Sequence, residues 1–340
     1  LDDSVVVRSV YASRDGEFPD PRLSQSQPLR LERGKRYRVR IEAQESYGEA
    51  QLELVWSPPN ESLEAEAVRL AQQADAVVLF LGLTARLEGE EMPVQIEGFR
   101  GGDRTRLDLP APQQRLLERI VAVRKPTVLV LLNGSALAVN WAHENVPAII
   151  DAWYPGQAGG SAIADVLFGD YNPSGRLPLT FYRSESDLPP FESYDMKGRT
   201  YRFFSGTPLY PFGHGLSYTT FTYADLQTSA DSLRAGDTVS VSVHVTNSGT
   251  RRGDEVVQLY VEHVGSAVER PIKELRGYRR LTLNPGETRT IRFPLAASQL
   301  AYWHEREDRW VAERERVRLL VGASSADIRL DKTINVIAER

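Results

Sequence analysis

Residues 76–92 read AVVLFLGLTARLEGEEM. The run from Ala76 to Leu83 is the most apolar in the chain, and it is too short for a helix that spans a core. It reads as a buried β-strand. The segment before it, residues 61–75 (ESLEAEAVRLAQQAD), spaces Leu63, Ala67, Leu70, Ala71 and Ala74 as one face of a helix. Two further apolar runs follow, TVLVLLNG (127–134) and PAIIDAWY (147–154). Between and after them lie helical patterns. APQQRLLERIVAVR (111–124) places Leu116, Leu117, Ile120 and Val121 on one side, with Pro112 near its start. QAGGSAIADVLFGD (157–170) opens with glycines and stops at Gly169. Apolar strands alternating with helices predict an α/β domain over 58–215, with a mostly parallel sheet covered on both faces. Ligands of such sheets bind beyond the carboxyl ends of the strands. The acidic stretch LEGEEM, with Glu88, Glu90 and Glu91, sits at such an end.

Outside this region the periodicity changes to two. KRYRVRIEAQ alternates Tyr37, Val39 and Ile41 with Arg36, Arg38 and Arg40, and AQLELVW repeats the pattern with Leu52, Leu54 and Trp56. Residues 1–57 are therefore expected to be β, with Pro58 and Pro59 ending the ladder. Residues 216–340 carry TVSVSVHVTNSG, EVVQLYVEH, RTIRFPL, RWVAE and RVRLLVGAS, separated by turns such as NPGE. Short strands at this spacing predict an antiparallel β-sandwich.

Composition bounds the chemistry. The chain has 340 residues, a net charge of −5 and no cysteine. There is no basic footprint for nucleic acid. Thiol nucleophiles, zinc–thiolate sites and disulfides are excluded. No stretch approaches the length of a membrane span. The five histidines, His143, His214, His244, His263 and His304, lack ligand spacing, so no metal is expected, and they read as structural. No phosphate-binding glycine loop or nucleophile elbow occurs. Carboxylates remain. Glycoside cleavage needs two of them, an acid for the leaving oxygen and a nucleophile or base opposite. A carboxyl group shielded near a strand end can hold its proton at neutral pH and act as that acid.

LDLPAPQQRLLERI (107–120), VLVLLNGSALAVNW (128–141), AIIDAWYPGQAGGSAIADVLFGDYNPSGRLPLTF (148–181) and YPFGHGLSYTTF (210–221) together resemble the carboxyl-terminal part of family 3 glycoside hydrolases, the β-glucosidases and β-xylosidases. NSGTRRGDEVVQLYV and RPIKELRGYRRLTLNPGET resemble the fibronectin type III-like domain that follows in many members. The likeness covers roughly residues 60–340. Residues 35–56 resemble more weakly the last strands of a PA14 domain, which some members carry as an insertion.

The resemblance implies a retaining β-glycosidase that removes terminal xylose or glucose by double displacement, without a cofactor. It implies an aspartate nucleophile on an amino-terminal (β/α)-barrel and a glutamate acid/base on a loop of the α/β domain. Glu90, eight residues past Gly82, has the offset expected of that acid/base, with Glu88 and Glu91 as negative neighbours raising its pKa. In this chain Glu90 precedes Glu91 rather than glycine, so Glu91 and then Glu88 are the alternates. Glu97 also precedes glycine but lies far from the strand. Asp103 and Arg104 match a supporting Asp-Arg pair.

Several other motif residues read more plainly. Trp153 and Tyr154 are expected to pack rather than stack on sugar. Gly156, Gly159 and Gly160 serve turns, Arg176 is structural, and His214 marks a domain junction. No nucleophile segment or barrel is present, so the chain is expected to be incomplete as an enzyme, starting partway through a longer protein. Its expected partners are an oligosaccharide or aryl glycoside and the barrel of the same enzyme, with a homodimer admitted. A periplasmic or secreted location is expected, with no nucleic acid and no membrane. The competing reading is a non-catalytic carbohydrate-binding or scaffolding protein built from the same modules. The acidic loop argues against it, since a binding module has no use for a proton donor.

Overall fold

A computed structural model describes residues 1–2, 4–6, 29–32, 34–42, 60–92, 94 and 96–337. Two hydrophobic cores organise them, one in an α/β unit and one in a β-sandwich.

The α/β unit begins with helix α1 (Asn60–Gln73), followed by β1 (Val77–Gly82), the two-residue strands β2 (Phe99–Arg100) and β3 (Asp103–Arg104), α2 (Ala111–Val121), β4 (Thr127–Leu132), α3 (Asn140–Asn145), β5 (Ala148–Asp151), α4 (Gly159–Phe168) and α5 (Thr200–Phe203). Strands β1, β4 and β5 form a parallel sheet in that order, with Leu79 beside Leu129 and Leu129 beside Ile149. Helix α2 buries Leu117 in this core, and its Ile120 is buried as well. Helix α4 ends at Gly169, which takes φ +81° and terminates the helix as a left-handed cap.

Two expectations about burial fail in part. At the β1 edge one face of the sheet is open: Val78 and Phe80 are 44% and 50% exposed, whereas Val130 of β4, beside Phe80 in register, is fully buried. On α1, Leu63 and Leu70 of the expected core stripe are also exposed, while Ala71 of the same stripe is buried. Helix α1 leans on α2, where Arg119 pairs with Glu64 at 2.7 Å.

The sandwich contains β6 (Phe221–Thr228), β7 (Ser232–Arg234), β8 (Thr238–Asn247), β9 (Gly253–Val264), β10 (Glu274–Leu283), β11 (Thr288–Ala296), β12 (Tyr302–His304), β13 (Arg309–Val311), β14 (Glu315–Gly322) and β15 (Ile328–Ile337). One sheet runs β10-β9-β14-β15-β7 and the other β11-β8-β6. Strand β8 alternates strictly, with Val239, Val241, Val243 and Val245 fully buried, as its period of two requires. Pairing is antiparallel except where β7 lies parallel to β15. The segment RWVAE, expected within the sandwich, forms β13 instead, and β13 pairs only with β12 in a separate hairpin.

The expected amino-terminal β module lies largely outside the described residues, including 7–28 and 43–59. Over residues 34–42 no strand forms, and Val39 and Ile41 are exposed. A strand needs a neighbour to satisfy its backbone groups. Among the described residues, Asp2 meets this segment, its amide donating to the Arg38 carbonyl at 3.0 Å, and the Glu32 amide donates to the Tyr37 hydroxyl at 2.9 Å.

The α/β unit and the sandwich are joined by buried polar contacts. Arg176 Nη2 lies 3.3 Å from Glu255 Oε1, both side chains being almost fully buried. Gln258 Nε2 donates to the Gly213 carbonyl at 3.3 Å, and the Ser325 amide donates to the Phe212 carbonyl at 2.9 Å. His214 stacks on Tyr210 at 5.4 Å, and burial lowers its pKa.

Candidate active site

The carboxyl ends of β1, β4 and β5 converge on one carboxylate, that of Glu88. Tyr154, three residues beyond β5, donates its hydroxyl to Glu88 Oε2 at 3.0 Å. Ser135, three residues beyond β4, donates to Glu88 Oε1. Arg104, at the end of β3, has Nη1 4.0 Å from the same oxygen. Its guanidinium also donates to Ser135 Oγ at 2.7 Å and to the Ala136 and Leu107 carbonyls at 2.6 and 2.8 Å. Arg104 is only 9% exposed, so it is a buried strut between three loops. Asp103 beside it is exposed.

Local sequence explains how these groups meet. Gly82 ends β1 at φ +135°, and a Cβ there would sit 2.0 Å from the Leu132 carbonyl oxygen, so only glycine lets β1 finish flush with β4. The Gln113 side chain of α2 caps that end, accepting from the Gly82 amide at 2.7 Å and donating to its carbonyl at 2.8 Å. Gly134 opens the space between Tyr154 and Glu88, where a Cβ would come within 2.7 Å of the tyrosine ring. Beyond Glu88 the loop folds back on the β2–β3 hairpin, with the Gly89 amide donating to the Gly102 carbonyl at 3.3 Å and the Met92 amide to the Gly101 carbonyl at 2.9 Å.

The other acids of the loop are placed differently. Glu90 and Glu91 are exposed, and Glu91 holds a left-handed φ of +50°. Glu97 lies in the turn just ahead of β2, 3.5 Å from Arg106 Nη1. It borders a groove of about 350 Å³ with Phe99, Asp108, Asn140 and Trp141. Trp153 turns inward, its ring edge-on to Phe181 at 6.2 Å. The hydroxyl of Tyr154 is pushed up to about 12, by burial first and then by the adjacent Glu88 carboxylate. Asp151, the last residue of β5, is pushed up to about 6 because burial disfavours its charge. Its Oδ1 accepts from the Trp153 amide at 3.3 Å, while Oδ2 is buried without a partner.

Sequence reasoning missed Ser135, Asp151 and Tyr154's bond to Glu88. Ser135 and Tyr154 follow strand ends, the signal that singled out the acidic loop. Which acid they grip depends on contacts 47 and 66 residues apart.

A parallel sheet that gathers a clamped carboxylate at its strand ends, followed by a β-sandwich, defines an α/β enzyme domain with an accessory module. The model of the glycosyl hydrolase family 3 C-terminal domain matches residues 14–218, and that of the fibronectin type III-like domain matches residues 255–325. The chain belongs to glycosyl hydrolase family 3.

It is 43% identical over 267 residues to a xylan 1,4-beta-xylosidase of Xylanibacter ruminicola, covering 78% of this chain and 30% of the relative. A periplasmic beta-glucosidase of Salmonella typhimurium is 39% identical over 276 residues, covering 78% and 35%. The solved structure of a b-glucosidase, EmGH1 from Erythrobacter marinus, superposes with a TM-score of 0.72 at 40% identity, over 82% of this chain and 36% of that one. The chain thus spans about a third of the length of the relatives it matches.

Proposed function

We propose that this chain is the carboxyl-terminal part of a retaining β-glycosidase that removes terminal β-linked xylose or glucose. Its loop after β1 supplies the general acid/base, and an aspartate on a barrel domain of the same enzyme supplies the nucleophile. The observation that carries this reading is the anchoring of an acidic loop, through Glu88, at the ends of three parallel strands. The names of the relatives support the choice of sugars. The name of the Salmonella relative supports a periplasmic or secreted location.

In this reading Glu88 is a positioning residue. Two hydroxyl donors and an arginine hold its carboxylate and so fix the loop to the strand ends. Glu90, on the same loop and free to approach a substrate, is the proposed proton donor. It protonates the glycosidic oxygen while the aspartate attacks the anomeric carbon, forming a glycosyl–enzyme ester and releasing the alcohol. Glu90 then takes a proton from water, whose oxygen attacks the anomeric carbon and frees the aspartate. Retention by this route needs the two carboxyl groups about 5–5.5 Å apart. A second reading gives the donor role to Glu97, favoured by its place on the rim of the groove beside Trp141 and Asn140.

The competing non-catalytic reading is tested by mixing the chain with a barrel fragment and assaying p-nitrophenyl β-xyloside and β-glucoside. Hydrolysis by the mixture, but by neither part alone, is expected. No hydrolysis by the mixture or by the full-length protein would leave the binding or scaffolding reading standing.

A further inference from the structure

The hairpin β12–β13 projects from the sandwich and joins neither of its main sheets. Its two faces differ. On one, the Tyr302 ring lies under the Arg270 guanidinium at 4.7 Å and beside His304 at 5.9 Å. On the other, Trp303 and Trp310 stand directly opposite in register. They are 46% and 65% exposed, with ring centroids 5.8 Å apart and planes inclined at 73°. Cross-strand aromatic pairs do stabilise hairpins. This pair, however, leaves two of the chain's five tryptophans largely in water, on strands of three residues each beside the charged turn Glu305–Arg306–Glu307–Asp308. Exposed aromatic surface of this kind marks a binding site.

The inclination identifies the ligand. Pyranose rings present flat arrays of C–H groups that stack on aromatic faces. In cellulose a two-fold repeat keeps successive rings in one ribbon, which suits coplanar aromatics. In xylan a three-fold repeat turns each ring well away from the last, which suits aromatics set at a steep angle. The sugars are uncharged and the tryptophan faces carry no charge, so neither side gives up an ion's hydration.

We infer that Trp303 and Trp310 form a non-catalytic binding site for a β-1,4-xylan chain on the sandwich. This deepens the glycosidase reading by naming the polymer the enzyme works beside, and it rests on that reading only for taking the ligand to be a β-glycan.

The test is affinity electrophoresis of the full chain through gels containing soluble arabinoxylan or hydroxyethyl cellulose. Arabinoxylan is expected to retard it and hydroxyethyl cellulose much less, and Trp303→Ala or Trp310→Ala is expected to weaken retardation roughly tenfold or more. No retardation of the wild type, equal retardation in both polymers, or unchanged retardation of the variants overturns the proposal. Indole N–H resonances of the wild-type chain, titrated with xylohexaose, need no substitution to fold. Shifts confined to Trp303 and Trp310 support the site, and their absence overturns it. Self-association of the wild type that Trp310→Ala abolishes would assign the pair to a dimer contact and likewise overturn it. Binding is read without turnover, so its failure is separable from failure of the glycosidase reading, which aryl glycoside hydrolysis reports.

Discussion

Tyr154 donates its hydroxyl to Glu88 at 3.0 Å, tying the loop after the first parallel strand to the end of the third. Tyr154→Phe removes that donor and leaves Glu88 Oε2 without it. The expected cost is about 1 kcal/mol of stability, read by denaturant unfolding. Amide exchange at Gly89 and Met92, whose hydrogen bonds hold the loop to the β2–β3 hairpin, should speed up in the same variant.

Gly134→Ala acts on the same contact from the other side. The new Cβ would fall 2.7 Å from the Tyr154 ring and 3.3 Å from Glu88 Oε2, so the tyrosine must move. Overpacking of this kind costs about 1–3 kcal/mol. The loss should be smaller when Gly134→Ala is made in a Tyr154→Leu background, measured by a double-mutant cycle.

Arg176 and Glu255 bridge the α/β unit and the sandwich as a nearly dry ion pair. Arg176→Met strands the Glu255 charge, with Tyr223 as its remaining hydroxyl donor. A loss of about 3–5 kcal/mol is expected. The double variant Arg176→Met, Glu255→Leu should be more stable than Arg176→Met alone, because no unpaired charge remains buried. Urea midpoints of the three proteins check this.

Asp151 sets a pH dependence of stability. Its pKa is raised to about 6 from an ordinary 3.8, so the folded chain keeps a proton that the unfolded chain has released. The stability this supplies is full below the unfolded value and is lost as pH rises through about 6. Asp151→Asn should therefore flatten the decline in thermal midpoint across that window and stabilise the protein above it.

These positions divide into what the sequence shows and what it conceals. The three parallel strands were legible because each is a short, continuous apolar run between helical patterns. β8 was legible because four valines alternate without a break. The acidic loop was legible as a candidate site because it follows a strand end. Which of its acids the strand ends grip was not. Glu88, Glu90 and Glu91 look alike in sequence, and only folding brings Ser135, Tyr154 and Arg104 to the first of them. Helix α3 and the β2–β3 hairpin escaped notice because six residues and two-residue strands are too short to show a period. Exposure of Val78 and Phe80 was illegible for another reason: an apolar run reports that a face is apolar, not what covers it.

The most direct test of the account is the kinetics of Glu90→Ala in the full-length enzyme. General acid/base catalysis is worth about 10²–10⁴-fold, so turnover of a β-xyloside with a poor leaving group should fall by that much. An activated aryl xyloside should be affected less, and azide should restore its turnover by attacking the glycosyl–enzyme in place of activated water. Full activity in Glu90→Ala, with loss and azide rescue in Glu97→Ala or Glu91→Ala, would contradict the assignment. Full activity in all three variants would contradict the claim that this loop carries the proton donor.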